Sequence, residues 1–221
     1  MRRLLFLLFL FLVTIVHAQE NANAQKTFIG VKAGRSHFDV SGTQVDFIRQ
    51  INRDDVVPHK DILLGVIVKT DINRLFQVKV EANRIVKGGD YVGNNSYERQ
   101  DRVVTYLQIP LLLGFKLPTH SAIGVSLEAG AASNFVIKPM PYNTNNYLNA
   151  SSIKTPTSMF SPVAGVEVSY SSGKFYYFLN YRYDFDSQKY FEREYLTSYY
   201  LKHDGGNTLS VGLLYRINKD N

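Results

Sequence analysis

The chain has 221 residues, with 25 Lys and Arg against 19 Asp and Glu, no cysteine and no tryptophan, while Tyr 15 and Phe 14 supply its aromatics. The missing cysteine excludes a disulfide-stapled scaffold, a cysteine-zinc fold and lipid attachment through a thiol. The modest positive charge is spread along the chain instead of gathered in a patch, which argues against nucleic acid as a partner.

Arg2 and Arg3 precede an apolar block from Leu4 to Val16, and Val16-His17-Ala18 offers small or tolerated residues where a signal peptidase reads. That pattern predicts a signal peptide over 1–18 and an exported domain over 19–221. Without the two arginines the chain carries 23 basic and 19 acidic residues. Abundant aromatic and β-branched residues favour strands, and no linker or repeat divides the remainder.

Thr27 to His37 alternates Ile29, Val31 and Ala33 against Gly30, Lys32, Gly34 and Ser36, the period of a strand. Residues 38–60 read as a loop, in which Val45 to Ile51 forms either a helical turn or a strand extension. Ile62 to Lys69 is apolar on both faces, so its orientation is open. Phe76, Val78, Val80 and Ala82 oppose Gln77, Lys79, Glu81 and Asn83, and Lys87-Gly88-Gly89 opens a polar loop to about Arg102. Tyr106 to Phe115 is the most apolar stretch of the exported chain. Pro110 and Gly114 exclude a helix there. As a strand it places Leu107, Ile109, Leu111, Leu113 and Phe115 on one face, with Tyr106, Gln108, Pro110, Leu112 and Gly114 on the other. Because proline interrupts a ladder, a local bulge facing the interior is expected at Pro110.

Ile123 to Ala131 alternates again, and Lys138 to Ser158 is a long loop rich in Asn, Pro, Ser, Thr and Tyr. Strands recur over Phe160 to Tyr170, Phe175 to Tyr183 and Leu209 to Ile217, with a charged, tyrosine-rich excursion from Asp186 to Gly206. Connections alternate long and short. The expected fold is all-β: an eight-stranded antiparallel up-and-down transmembrane β-barrel with long loops at one end and tight turns and both termini at the other.

Alternation alone does not say which face is outside. The less apolar face holds glycines and charges of both signs, Lys32, Lys79, Glu81, Glu128, Glu167, Arg182 and Arg216, which suit a narrow lumen better than a lipophilic pocket. Aromatics on the apolar face gather near strand ends. Phe76, Phe115, Tyr170, Phe175 and Tyr215 belong to one belt, and Phe135, Phe160, Tyr183 and Phe185 to the other. The apolar face is therefore expected against lipid.

Ile29-Gly30-Val31-Lys32-Ala33-Gly34, the pattern from Val80-Glu81 to Lys87-Gly88, the run Tyr106 to Leu113 and the closing Leu209-Ser210-Val211-Gly212-Leu213 together resemble the outer-membrane β-barrel domain family that includes PorT. The family usually has glutamate where this chain has Gln108. The resemblance implies an outer-membrane location, an eight-stranded barrel, and an accessory role in protein secretion.

Glu128 and Glu167, on consecutive strands, are candidates for paired acid/base work, but partners such as Arg182 or Lys79 would turn them into structural ions. His37, His59 and His203 should lie at the loop end of neighbouring strands, with Asp61 or Asp204 nearby, yet their spacing matches no metal-ligand pattern. Ser36 beside His37 is the nearest thing to a hydrolytic pair, and adjacent strand residues point to opposite faces. Tyr142, Asn143, Asn145, Asn146 and Tyr147 of the long loop suit contact with sugars or a protein, and Arg35 and Lys60 suit lipid phosphates. The reading is of a non-enzymatic structural or interaction module with no catalytic, cofactor or metal residue. Outer-membrane lipid surrounds it, and an envelope or secretion protein is its partner. A lipid-modifying enzyme and a soluble lipocalin-like carrier are the alternatives.

Overall fold

The structure, a computed structural model, describes residues 26–51, 55–92, 100–118, 122–139, 153–154, 156–186, 188–195 and 197–217. The expected signal peptide, and the Tyr and Asn residues singled out between 142 and 147, lie outside these. The described strands are β1 (Thr27–Ser41), β2 (Asp55–Asp71), β3 (Phe76–Val92), β4 (Gln100–Leu117), β5 (Ile123–Lys138), β6 (Ile153–Lys154), β7 (Ser158–Ser172), β8 (Phe175–Asp184), β9 (Lys189–Tyr195) and β10 (Thr197–Arg216). A helix, α1 (Thr43–Ile51), connects β1 to β2.

Eight staves pair in the order β1, β2, β3, β4, β5, β7, β8, β10, and an antiparallel β10–β1 ladder from Arg216↔Phe28 to Lys202↔Ser41 closes the sheet. Closure leaves no edge along the staves, which is the condition for a sheet to enter lipid. Side chains alternate as the pleat demands. On β8, Phe175, Tyr177, Leu179, Tyr181 and Tyr183 point out, while Tyr176, Phe178, Asn180, Arg182 and Asp184 are buried within.

The outer surface is apolar through one band. Ile29 and Val31 of β1, Leu107, Leu111, Leu113 and Phe115 of β4, and Leu209, Val211, Leu213 and Tyr215 of β10 are all exposed. The open orientation of β2 is resolved: Ile62, Leu64, Val66 and Val68 face out, and Leu63, Ile67 and Lys69 face in. Rings pair at the band's margins, Phe76 with Phe115 and Phe175 with Tyr215 at the turn end, and Tyr183 with Phe185 at the loop end. A tilted strand needs about 9–11 residues to cross a bilayer. The strands β2, β3, β4 and β10 hold 17, 17, 18 and 20 residues. Their tight turns hold the lower ends near the membrane surface, so the surplus rises beyond lipid at the loop end.

That surplus is where the sequence reading falls short. Stretches assigned to loops, 38–41, 55–60, 87–92 and 100–102, continue as strand, while 45–51 takes the helical one of its two expected forms, within α1. The long connection after β5 contributes β6, and the excursion after β8 contains β9, which pairs with the upper part of β10. Such segments are polar on both faces once they leave lipid, so their period is hidden. The expected bulge at Pro110 is absent. Pairing between β3 and β4 lapses after Val80↔Leu111 and resumes at Asn83↔Gln108 in the same register, while Pro110 remains paired with Ala132 of β5. The missing N–H is accommodated by a gap in one ladder, with no inserted residue.

β8 ends before its neighbours do. Above it, Gln188 bridges them: its side-chain amide donates to the Phe160 carbonyl (2.7 Å) and accepts from the Phe160 N–H (3.2 Å), and its own carbonyl accepts from the His203 N–H (3.1 Å). A side chain here performs the task of a strand's peptide group.

Candidate functional site

The inward phases of β1, β3, β5, β7 and β8 bring six charges together inside the barrel. Arg182 grips Glu81 with both terminal nitrogens, at 2.9 and 2.8 Å, and Lys32 reaches the same carboxylate at 2.5 Å. The second Arg182 nitrogen also lies 3.5 Å from Glu128. Lys79 bonds both Glu128 and Glu167, and the free oxygen of Glu167 accepts from the Tyr176 hydroxyl at 2.6 Å. Asn83 and Asn180 donate to Glu81 and Glu128 respectively. Three cations thus meet three carboxylates, none of whose side chains is more than 2% exposed. Every charge has a partner, the condition under which ions survive away from water.

Glu128 and Glu167 therefore act as counter-ions, and the structure joins them to Lys79 and, for Glu128, to Arg182. Their shared cation removes the free carboxyl that acid/base chemistry would need. Arg216 stands apart, half-buried at the turn-end mouth.

Above this network a second tier fills the lumen. Lys87 lies 3.1 Å from both Asp184 and Asp186. Gln108 donates to Asp184 (2.7 Å) and to Asn134 (3.1 Å), and Asn134 donates to Ser161. The amide at position 108 is chemically fitting, because a glutamate would set a second carboxylate against Asp184. Tyr106 and His203 share a hydrogen bond of 3.0 Å, and His59 is 2.7 Å from Asp90. Around them pack Phe38, Leu63, Ile85, Val104 and Leu201, with Val45 of α1 joining the cluster at the loop end. The lumen is thus not polar throughout; an apolar core occupies its upper part.

The other candidate residues do not converge. Ser36 is buried and donates to the Asp61 carbonyl, whereas His37 lies on the outward phase. His59 and His203 face inward on separate partners, so the three histidines do not share a centre, and among the described residues no group of three or more His, Asp or Glu is arranged to hold a metal ion. Arg35 is exposed at the upper margin of the apolar band, level with Leu209 and Ile62, and Lys60 is exposed beyond it. Lys69 and Lys87 were not singled out from the sequence. Lys69 falls in the segment apolar on both faces, and Lys87 in one that resembles a loop.

No family model and no curated protein matches the sequence. The backbone is similar to the crystal structure of the outer membrane protein OprG from Pseudomonas aeruginosa, with a TM-score of 0.58 and 15% identity over 88% of this chain and 97% of that one. It is similar as well to the solid-state NMR structure of the outer membrane protein AlkL in DMPC lipid bilayers, with a TM-score of 0.56 and 14% identity over 91% of this chain and 94% of that one. The fold is that of an outer-membrane β-barrel. With its apolar band, ring-lined margins and closed sheet, the chain has the surface of an integral outer-membrane protein and sits in lipid. At these identities the likeness concerns the fold alone.

Proposed function

We propose that the protein is a non-conducting membrane scaffold that raises a rigid interaction surface beyond the bilayer and performs no catalysis of its own. The observation that carries this reading is the charge-balanced network across the lumen. An eight-stranded barrel has room for little more than its inward side chains, and here they are tied to one another from β1 to β8. The extended staves, with α1 packed through Val45 onto the upper core, supply the raised surface. Loops on a rigid support are where binding residues tend to reside. The segment resemblance to the PorT-containing family supports an envelope or secretion protein as the partner. The opposed directions of Ser36 and His37 weigh against a lipid hydrolase, and the exposed apolar band weighs against a soluble carrier.

In planar bilayers the purified protein is expected to give no stable unitary current. Reproducible steps from the unaltered chain would contradict the reading. Photo-crosslinking from the exposed α1 position Arg49 in cells is expected to capture a defined envelope or secretion protein, and capture of lipid alone would remove the interaction role.

A further inference from the structure

At the turn end, below the charged network, the barrel mouth holds a half-open recess of about 680 Å³. That volume falls within the roughly 300–1,000 Å³ of small-molecule sites. Among the described residues, five cationic side chains line it, Lys26, Lys69, Arg74, Lys116 and Arg216, against one carboxylate, Asp71. The single acid is shared, lying 3.3 Å from Lys116 and 3.9 Å from Lys69. The network above adds no carboxylate to this lining among the described residues. Glu167, its nearest acid to Tyr176, has one oxygen on Lys79 and the other on the Tyr176 hydroxyl. Lys69 sits against aromatic rings, its ammonium 3.4 Å from the Tyr176 centroid and 5.4 Å from that of Phe28. Ring faces hold a cation in place without cancelling its charge, so it remains able to attract an anion.

We propose that this vestibule binds a soluble organic anion, a phosphate or carboxylate group carried on an apolar or aromatic body. Charge selects the anionic group: a recess lined by one sign of charge within low-dielectric walls concentrates the field. The wall selects the body, because the buried rings of Phe28 and Tyr176 present hydrocarbon beside the cations. Position selects a soluble ligand over a lipid headgroup. The cavity lies among inward-facing residues of the staves and the tight turns at Arg74, Pro118 and Gly173, on the water side of the barrel axis, whereas headgroups surround the outer faces. The inference goes beyond the scaffold reading and does not depend on it.

The test uses the full exported chain in phosphatidylcholine nanodiscs, titrated calorimetrically with phenyl phosphate, inorganic phosphate and phenol. Phenyl phosphate is expected to bind saturably, inorganic phosphate more weakly, and phenol not at all. The variants Lys69→Met and Lys116→Gln/Arg216→Gln should each weaken phenyl phosphate by about tenfold, as expected for loss of charge-assisted contacts. Asp71→Asn should tighten it about threefold by removing the competing carboxylate, a gain that a merely structural role would not produce. Heat-modifiable gel migration checks folding. If Lys69→Met fails that check, the pair at the mouth decides. Equal binding of phenol, or binding unaltered by the mouth pair and by Asp71→Asn, would overturn the assignment. So would loss of phenyl phosphate binding when phosphatidylglycerol replaces part of the nanodisc lipid, since headgroups would then be the occupants.

Discussion

Replacing Arg182 with methionine is expected to destabilise the folded barrel by about 3–5 kcal/mol, the usual cost of removing one partner from a buried ion pair. Methionine conserves much of the length and apolar stem, so the loss would come from charge and not from a void. Without Arg182, Lys32 and Lys79 must balance Glu81, Glu128 and Glu167 in a space whose side chains are almost wholly withdrawn from water. The surplus carboxylate has to be protonated or hydrated, and either disrupts the packing. Adding Glu128→Gln should restore part of the loss, since it leaves two matched pairs, Lys32 with Glu81 and Lys79 with Glu167. Urea unfolding in micelles, followed by gel migration and far-UV circular dichroism, measures the Arg182→Met and Glu128→Gln single variants and the double. Strict additivity of the two substitutions would show that the six charges are not one coupled unit.

Arginine in place of Leu111 is expected to cost about 2–4 kcal/mol, against about 0–1 kcal/mol for arginine in place of Leu117. Both residues face outward on β4 and are similarly exposed, at 41% and 40%. Exposure to the surroundings therefore does not distinguish them; depth does. Leu111 lies midway along the run from Leu107 to Phe115, paired with apolar Val80 of β3 and Ala131 of β5. Leu117 adjoins the turn, where a long side chain reaches headgroups and water. Folding yield into liposomes and the urea midpoint are the readouts. Equal effects at the two positions would mean that lipid does not grade the environment along this stave.

The parts of the barrel legible from residues alone are those in which two different media face one strand. Leu107 to Phe115 and Phe175 to Tyr183 alternate because lipid lies on one side and packed side chains on the other, and their outward sets are those expected. Where the contrast vanishes, so does the signal. On β2, Leu63 and Ile67 fill apolar regions of the lumen while Leu64 and Val66 face lipid, so both faces look alike. Above the membrane the staves have water outside and a mixed core inside, and residues 55–60 and 87–92 read as loop. The partners in the lumen were only half legible. Membership followed from phase, and the association of Glu128 and Glu167 with Lys79 and Arg182 was among the expected outcomes. Contacts such as Lys87 with Asp184 and Asp186, or Tyr106 with His203, join staves from distant parts of the chain. They depend on how far each stave is staggered around the closed sheet, and local periodicity contains no record of that stagger.

The central assignment, hydrocarbon against the outward set and a sealed interior behind it, is tested most directly on β1. Val31 and Asp39 are both exposed on that strand's outward phase, one within the apolar band and the other beyond it. The chain has no cysteine, so a single one at either position carries a spin label without interference. Power-saturation measurements in liposomes should find the label at position 31 relaxed by oxygen and shielded from a water-soluble nickel chelate, with the reverse at position 39. A nickel response at 31 equal to that at 39 would place water where the account places lipid.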